Sequence, residues 1–187
     1  MIDPGAIVAA RTGEWGEFTT RDIDSVSENG LRYELVDGML AISRPQGVIH
    51  QRAVGQFVTR LARACPNDLE VLPALAFRPT AQRSLLPDVL VLDTVDRASV
   101  DCHLVVEVLT PVTRIWDLSL KREIYAEAGV PSYWIFDPAE ALLTDLELVG
   151  GRYVERAQTK GTDAFDAKLP FPVRIIPASL TCPNNRR

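Results

Sequence analysis

Asp88 and Glu107 stand nineteen residues apart, each set against an apolar run, and Lys121 follows fourteen residues after the second acid. Pro87-Asp88 opens the run Val89-Leu90-Val91-Leu92, and Glu107 interrupts the run from Leu104 to Leu109. A carboxylate inside a buried strand is costly unless a cation, a metal or hydrogen bonds compensate it. Two such acids on one sheet face also repel each other, unless a cation lies between them or one of them is protonated. A hard divalent ion relieves that conflict. Mg²⁺ prefers oxygen ligands and typically takes one or two carboxylates, with water completing its shell. Asp88, Glu107 and the main-chain carbonyl of Val108 form a sensible ligand set, with Mn²⁺ as a substitute. Lys121 can then neutralise phosphate charge or orient an attacking water whose pKa the metal lowers. The chemistry that this combination suits is phosphoryl transfer to water.

The elements that must position these groups follow from local pattern. If the strands at 87–92 and 103–109 pair antiparallel with Leu92 opposite His103, Asp88 falls opposite Glu107, where side chains share a face. A slip of one residue would separate them. A helix is expected from about Trp116 to Ala128, ended by Gly129 and by Val130-Pro131, which cannot continue it. On it Asp117, Lys121 and Tyr125 recur every four residues and form one polar stripe. Earlier, Leu31 to Val36 and Met39 to Ser43 alternate around Asp37-Gly38, the signature of a tight hairpin that puts Glu34 in its first strand. A helix over about 50–64 buries Val54, Phe57, Val58 and Leu61, with Val48 and Ile49 expected to cover the same sheet face. Leu69 to Leu72 reads as a strand kept to an edge or a bulge by Pro73. Residues 79–86 read as irregular, and the C-terminal part as a hairpin around Gly150-Gly151 followed by edge-like segments.

Each candidate also has a plainer role. Asp88 can cap a turn, Glu107 can sit in a structural ion pair, and Lys121 can simply pair with Asp117 along the helix. Glu34 can be a solvated hairpin residue. His50, opening its helix, can contact substrate or a water, or serve as a cap. Arg114 can meet a phosphate or remain in solvent. Trp116, Tyr133 and Trp134 suit a core or an interface better than base stacking.

The 187 residues, 47% of them hydrophobic, are enough for one ordinary core. One globular domain over 18–180 is expected, with a loose lead-in over 1–17 and a tail over 181–187. No run approaches the apolar length of a membrane span and no basic-then-apolar leader opens the chain, so a cytoplasmic, non-membrane protein is expected. Three scattered cysteines (Cys65, Cys102, Cys182) suggest neither a disulfide framework nor a zinc site. Twenty basic against 25 acidic residues leave a net charge of −5, which counts against tight non-specific binding to a polyanion. Locally placed cations can still contact phosphates.

PD at 87–88, followed by E107-V108-L109, is similar to the PD-(D/E)xK nuclease signature without its final lysine. The blocks RYELVDGML, HQRAVGQF, PDVLVLD, LVVEVLTPVTRIWDLSLKREIYAEAGVPSYWIFDP and GRYVERA resemble, in that order, the Uma2 family of restriction-endonuclease-like proteins across about residues 18–180. The resemblance implies an α/β (α+β) fold, a restriction-endonuclease-like core with a mixed β-sheet flanked by helices. It also implies an endonuclease that hydrolyses phosphodiester bonds with Mg²⁺. By position, Glu34 is the auxiliary acid, Asp88 the principal metal ligand and Glu107 the second. The pattern places lysine at 109, where this chain has leucine, so Lys121 is the candidate migrated lysine. Nucleic acid, DNA before RNA, is the expected partner, and a homodimer the expected assembly. Two other classes fit less of the pattern: a catalytically inactive, homodimeric interaction or regulatory module on the same fold, and a glycosidase using Asp88 and Glu107, which leaves Lys121 without a role.

Overall fold

The computed structural model describes residues 6–10, 17–26, 29–94 and 101–183. The rest of the expected lead-in, part of the connection after Asp93 and the last four residues of the tail lie outside the described residues. In chain order the elements are β1 (Ala6–Ala10), α1 (Thr20–Asp24), β2 (Arg32–Val36), β3 (Met39–Ser43), α2 (Val48–Ala64), β4 (Leu69–Pro73), β5 (Phe77–Thr80), β6 (Arg83–Leu85), β7 (Val89–Asp93) and β8 (Cys102–Val108). A π-helical turn (Trp116–Leu120) then runs into α3 (Lys121–Glu127). It is followed by β9 (Ser132–Asp137), β10 (Leu142–Val149), β11 (Arg152–Lys160), β12 (Phe165–Ala167), β13 (Val173–Ile175) and a 3-10 turn (Pro177–Leu180). These elements form two compact units, one of Met1–Gln46 with Ala76–Leu86, the other of Gly47–Leu75 with Pro87–Arg187.

The first unit holds an antiparallel sheet in the order β1-β3-β2-β6-β5. Its β2–β3 turn is the tight hairpin read from Asp37-Gly38. Both residues adopt positive φ, 47° and 77°, as a two-residue turn matched to strand twist requires. Two segments differ from expectation. Ala6–Ala10, read as part of an unpatterned lead-in, pairs with β3, and residues 79–86, read as irregular, contribute to the β5–β6 pair. Both are short strands whose conformation comes from the ladder they join rather than from a pattern of their own.

The second unit is built on a mixed sheet in the order β11-β10-β9-β8-β7-β4. Only β8 and β9 run parallel, because the π-helical turn and α3 form the crossover between them. The other neighbours are antiparallel, and β4, with Pro73 at its end, is an edge as its proline demands. Alternation along the strands gives the two faces different tasks. Val89, Val91, Leu104, Val106, Trp134 and Phe136 face α2 and the C-terminal segment. Phe57 of α2 meets Phe136 edge to face at 5.8 Å, and Trp134 meets Phe165 in the same way at 5.2 Å. Tyr133 and Glu107 point to the opposite face, where Tyr133 stacks against Tyr125 of α3 at 5.2 Å. The result is an α/β fold with a mixed sheet flanked by helices.

Val48 and Ile49, expected to cover a sheet face, are instead 73% and 57% exposed. The helix begins at Val48, so the inward stripe runs through His50, Ala53, Val54, Phe57 and Leu61. At 100° per residue His50 takes the core-facing place in the first turn and its two predecessors turn outward. Among the described residues no helix is long and apolar enough to cross a membrane, and the three cysteines are free.

On β10, burial first and the neighbouring Glu147 second raise the Asp145 carboxyl to about 6. A raised carboxyl lets the folded chain keep a proton that the unfolded chain releases, so this group supports folding below the ordinary carboxylate range. That support is lost as pH rises from about 4 to about 6. Asp145→Asn is therefore expected to raise Tm relative to the parent chain at pH 7 and to lose that advantage at pH 4. Equal Tm differences at both pH values would contradict the assignment.

Candidate active site

The second unit gathers Asp88, Glu107, Asp117 and Lys121, all under 5% exposed. Each arrives from a different local cause. Asp88 precedes β7 and so stands at the strand mouth. Glu107 is one residue from the end of β8. Val89, Leu90 and Val91 pair with Val106, Val105 and Leu104, the register that places Asp88 at the level of Glu107. The expected pairing of Leu92 with His103 is not formed. A bulge shifts Leu92 to Cys102 and leaves His103 as the extra residue, with its ring bonded to Asp93 at 2.7 Å. The irregularity lies at the far end of the strand pair and leaves the acidic end in register.

Asp88 is held from two elements. Its Oδ2 accepts the main-chain N–H of Val108 at 2.9 Å and lies 3.0 Å from His50 Nε2. Val108 thus also reaches Asp88 through its amide, while its carbonyl is the group that the sequence suggested for a metal. Glu107 is held from α3: its Oε1 accepts from Lys121 Nζ at 3.1 Å and from the Tyr125 hydroxyl at 2.8 Å. The Lys121 ammonium also lies 3.2 Å from Asp117 Oδ1. That oxygen has no aligned hydrogen bond among the described residues, so this second contact is Coulombic rather than directional. Tyr133 donates its hydroxyl to the Asp117 carbonyl at 2.9 Å, tying the π-helical turn to the sheet.

The polar stripe of Asp117, Lys121 and Tyr125 is therefore realised, facing inward onto Glu107. The helix differs from expectation in its first turn. Residues 116–120 are π-helical, closed by the Lys121 N–H onto the Trp116 carbonyl, a local widening often found where a side chain must be aimed.

Electrostatically the cluster is acidic, with three buried carboxylates against one ammonium. Burial lifts the Asp117 carboxyl above its ordinary range. Lys121 and Thr113 pull it down, and the charge of Asp88 pushes it further up. The Tyr133 hydroxyl is raised well above 10, first by burial and then by Glu107 and Asp117. Among the described residues no group of three or more His, Cys, Asp or Glu is set to hold a metal. A hard cation that takes two carboxylates and otherwise water needs no third side chain, so the chemistry of Asp88 and Glu107 fits one.

The remaining candidates have partners of their own. Glu34 belongs to the first unit, where it is buried on β2 and its Oε1 accepts the N–H of Leu86 at 3.0 Å. Arg114, read as a possible phosphate contact, pairs with Asp137 at the end of β9. Burial pushes the Asp137 carboxyl up, but Arg114 and the amides of Ala139 and Glu140 outweigh it and hold it below the ordinary range. Trp134 and Tyr133 are core residues, as their composition suggested. Sequence reasoning gave Asp117 and Tyr125 no part in the site and left His50 undecided. The four-residue stripe was the available signal for the first two, and the stripe position of His50 above Val54 and Phe57 for the third.

A family model described as "Uma2: Putative restriction endonuclease" matches residues 15–179. In fold, the chain is similar to a crystal structure titled as a putative nuclease belonging to DUF820 from Anabaena variabilis ATCC 29413. The TM-score is 0.65 at 15% identity, over 88% of this chain and 97% of that one. A likeness at that identity is one of architecture. No curated protein matches the chain in sequence.

Proposed function

Because the chain belongs to the Uma2 family, a nuclease-like family of the PD-(D/E)xK kind, we propose that its second unit hydrolyses phosphodiester bonds in nucleic acid, DNA before RNA. The observation that carries this reading is the contact of Lys121 Nζ with Glu107 Oε1 at 3.1 Å. It supplies from α3 the cation that Leu109 does not provide two residues after the acid. Asp88 and Glu107, with the Val108 carbonyl, would hold Mg²⁺ or Mn²⁺, which supplies Lewis acidity and a more acidic water when bound. The chain's own groups do the rest. Lys121 is buried and held by two carboxylates, so its charge is fixed in place before substrate arrives. A fixed cation in a poorly solvated site stabilises charge developing on the phosphoryl oxygens without reorganising. Tyr125, donating to Glu107, keeps that carboxylate from turning away. Val108 N–H does the same for Asp88.

The purified chain incubated with single-stranded, duplex and branched DNA and with RNA, in Mg²⁺ and in Mn²⁺, is expected to cleave at least one of them. Glu107→Ala is expected to lower the rate by at least about a hundredfold. No cleavage of any substrate with either ion, or cleavage indifferent to Glu107→Ala, would overturn the proposal.

A second reading is favoured by one feature of the same site. Oδ2 of Asp88 and Oε1 of Glu107 already accept two contacts each from the protein. A nuclease-like module without catalysis, working as a homodimeric interaction or regulatory protein, would use the cluster only to hold α2 and α3 on the sheet. It predicts no thermal stabilisation by Mg²⁺ or Mn²⁺. Stabilisation that disappears in Asp88→Ala would eliminate it.

A further inference from the structure

We infer that His50 is a positioning residue for the metal-binding carboxylate, clamping Asp88 from α2 while Val108 clamps it from β8. The inference rests on the reading of Asp88 as a metal ligand. His50 Nε2 lies 3.0 Å from Asp88 Oδ2, the same oxygen that accepts the Val108 amide at 2.9 Å. An ionised carboxylate only accepts, so the Nε2 side of the ring is the donor. Two donors from two different elements converge on one oxygen, and the carboxylate cannot rotate about its terminal bond without breaking both.

The ring itself is held as firmly. His50 is 6% exposed. It occupies the core-facing stripe of a seventeen-residue helix anchored by Phe57 and Leu61. The other ring nitrogen, Nδ1, is buried and has no hydrogen-bond partner among the described residues. Groups that orient a metal-binding side chain in this way typically change metal affinity about 10–100-fold when removed.

The test separates the two ring nitrogens. Glutamine places an amide near the position of Nε2, and asparagine near that of Nδ1. Calorimetric titration of the full chain with Mn²⁺ is expected to give near-parental affinity for His50→Gln and an affinity about 10–100-fold weaker for His50→Asn. Metal-free Tm values measured alongside show whether either variant is simply unfolded. Equal losses in both variants, or no loss in either, would overturn the inference. Histidine ¹⁵N NMR of the unsubstituted, metal-free chain supplies an independent reading, with His50 expected to carry its proton on Nε2. A proton on Nδ1 alone would overturn the inference even if Mn²⁺ binds. Should the unsubstituted chain take up no Mn²⁺, the metal reading fails by itself. The NMR result then still decides whether His50 donates to Asp88.

Discussion

Lys121→Met is expected to destabilise the chain by about 3–5 kcal/mol and to abolish any cleavage activity. The reason is the imbalance of the cluster. Lys121 is 2% exposed and is the cation within 3.1 and 3.2 Å of Glu107 and Asp117. Methionine preserves most of its volume, so lost packing contributes little and the loss comes from leaving two buried carboxylates without the ammonium that they share. Urea denaturation checks this, as a lower midpoint with unchanged slope. Glu107→Gln introduced beside Lys121→Met removes one of the stranded charges, and the double variant is expected to be more stable than the sum of the single losses, with a coupling of about 0.5–3 kcal/mol. A loss below about 1 kcal/mol for Lys121→Met would mean that water screens the cluster as it screens a surface pair.

Phe57→Ala is expected to cost about 3–5 kcal/mol through a different route, the loss of a buried ring and the cavity that remains. Phe57 is fully buried and packs edge to face on Phe136, the residue beside which Val108 lies in the parallel β8–β9 pair. The same ring anchors the helix that carries His50. Chemical denaturation should give the magnitude, and the ¹H–¹⁵N signals of His50 should shift, because the helix loses a buried contact two turns beyond that residue. A cost below about 1.5 kcal/mol would indicate that the neighbouring side chains collapse into the space, as they do in tolerant cores.

The two effects differ in how far the sequence reveals them. Phe57 lies on a stripe with 3–4 spacing, a local regularity that carries its own meaning, and its burial follows from that pattern. The same holds for the hairpin at Asp37-Gly38, for the edge or bulge marked by Pro73 and for the polar stripe of Asp117, Lys121 and Tyr125, though not for the side to which that stripe turns. Glu107 was legible for the opposite reason, as a charge where the pattern calls for an apolar residue. Segments without a pattern were not legible. Ala6–Ala10 and the β5–β6 pair are too short to specify themselves and become strands only because a neighbouring edge supplies the hydrogen bonds.

The register error near His103 belongs to the same class. A bulge inserts a residue without altering composition or periodicity, so Leu92 meets Cys102 instead. Val48 and Ile49 show the limit of composition in another form. Apolar type suggested burial, but the starting point of α2 sets the phase of the helix and turns them into solvent.

By itself the sequence determined the apolar strands, the acids that interrupt them, the amphipathic helices and the absence of lysine at 109, because each of these is written in residue type and local spacing. Only the tertiary structure decided that Lys121 reaches Glu107 and that His50 meets Asp88. Those two contacts join residues 14 and 38 positions apart. Their existence depends on the crossover between two parallel strands, on the phase of two helices and on one widened turn. None of these has a local signature. Each is set by how the sheet and its two covering helices bury their apolar faces together.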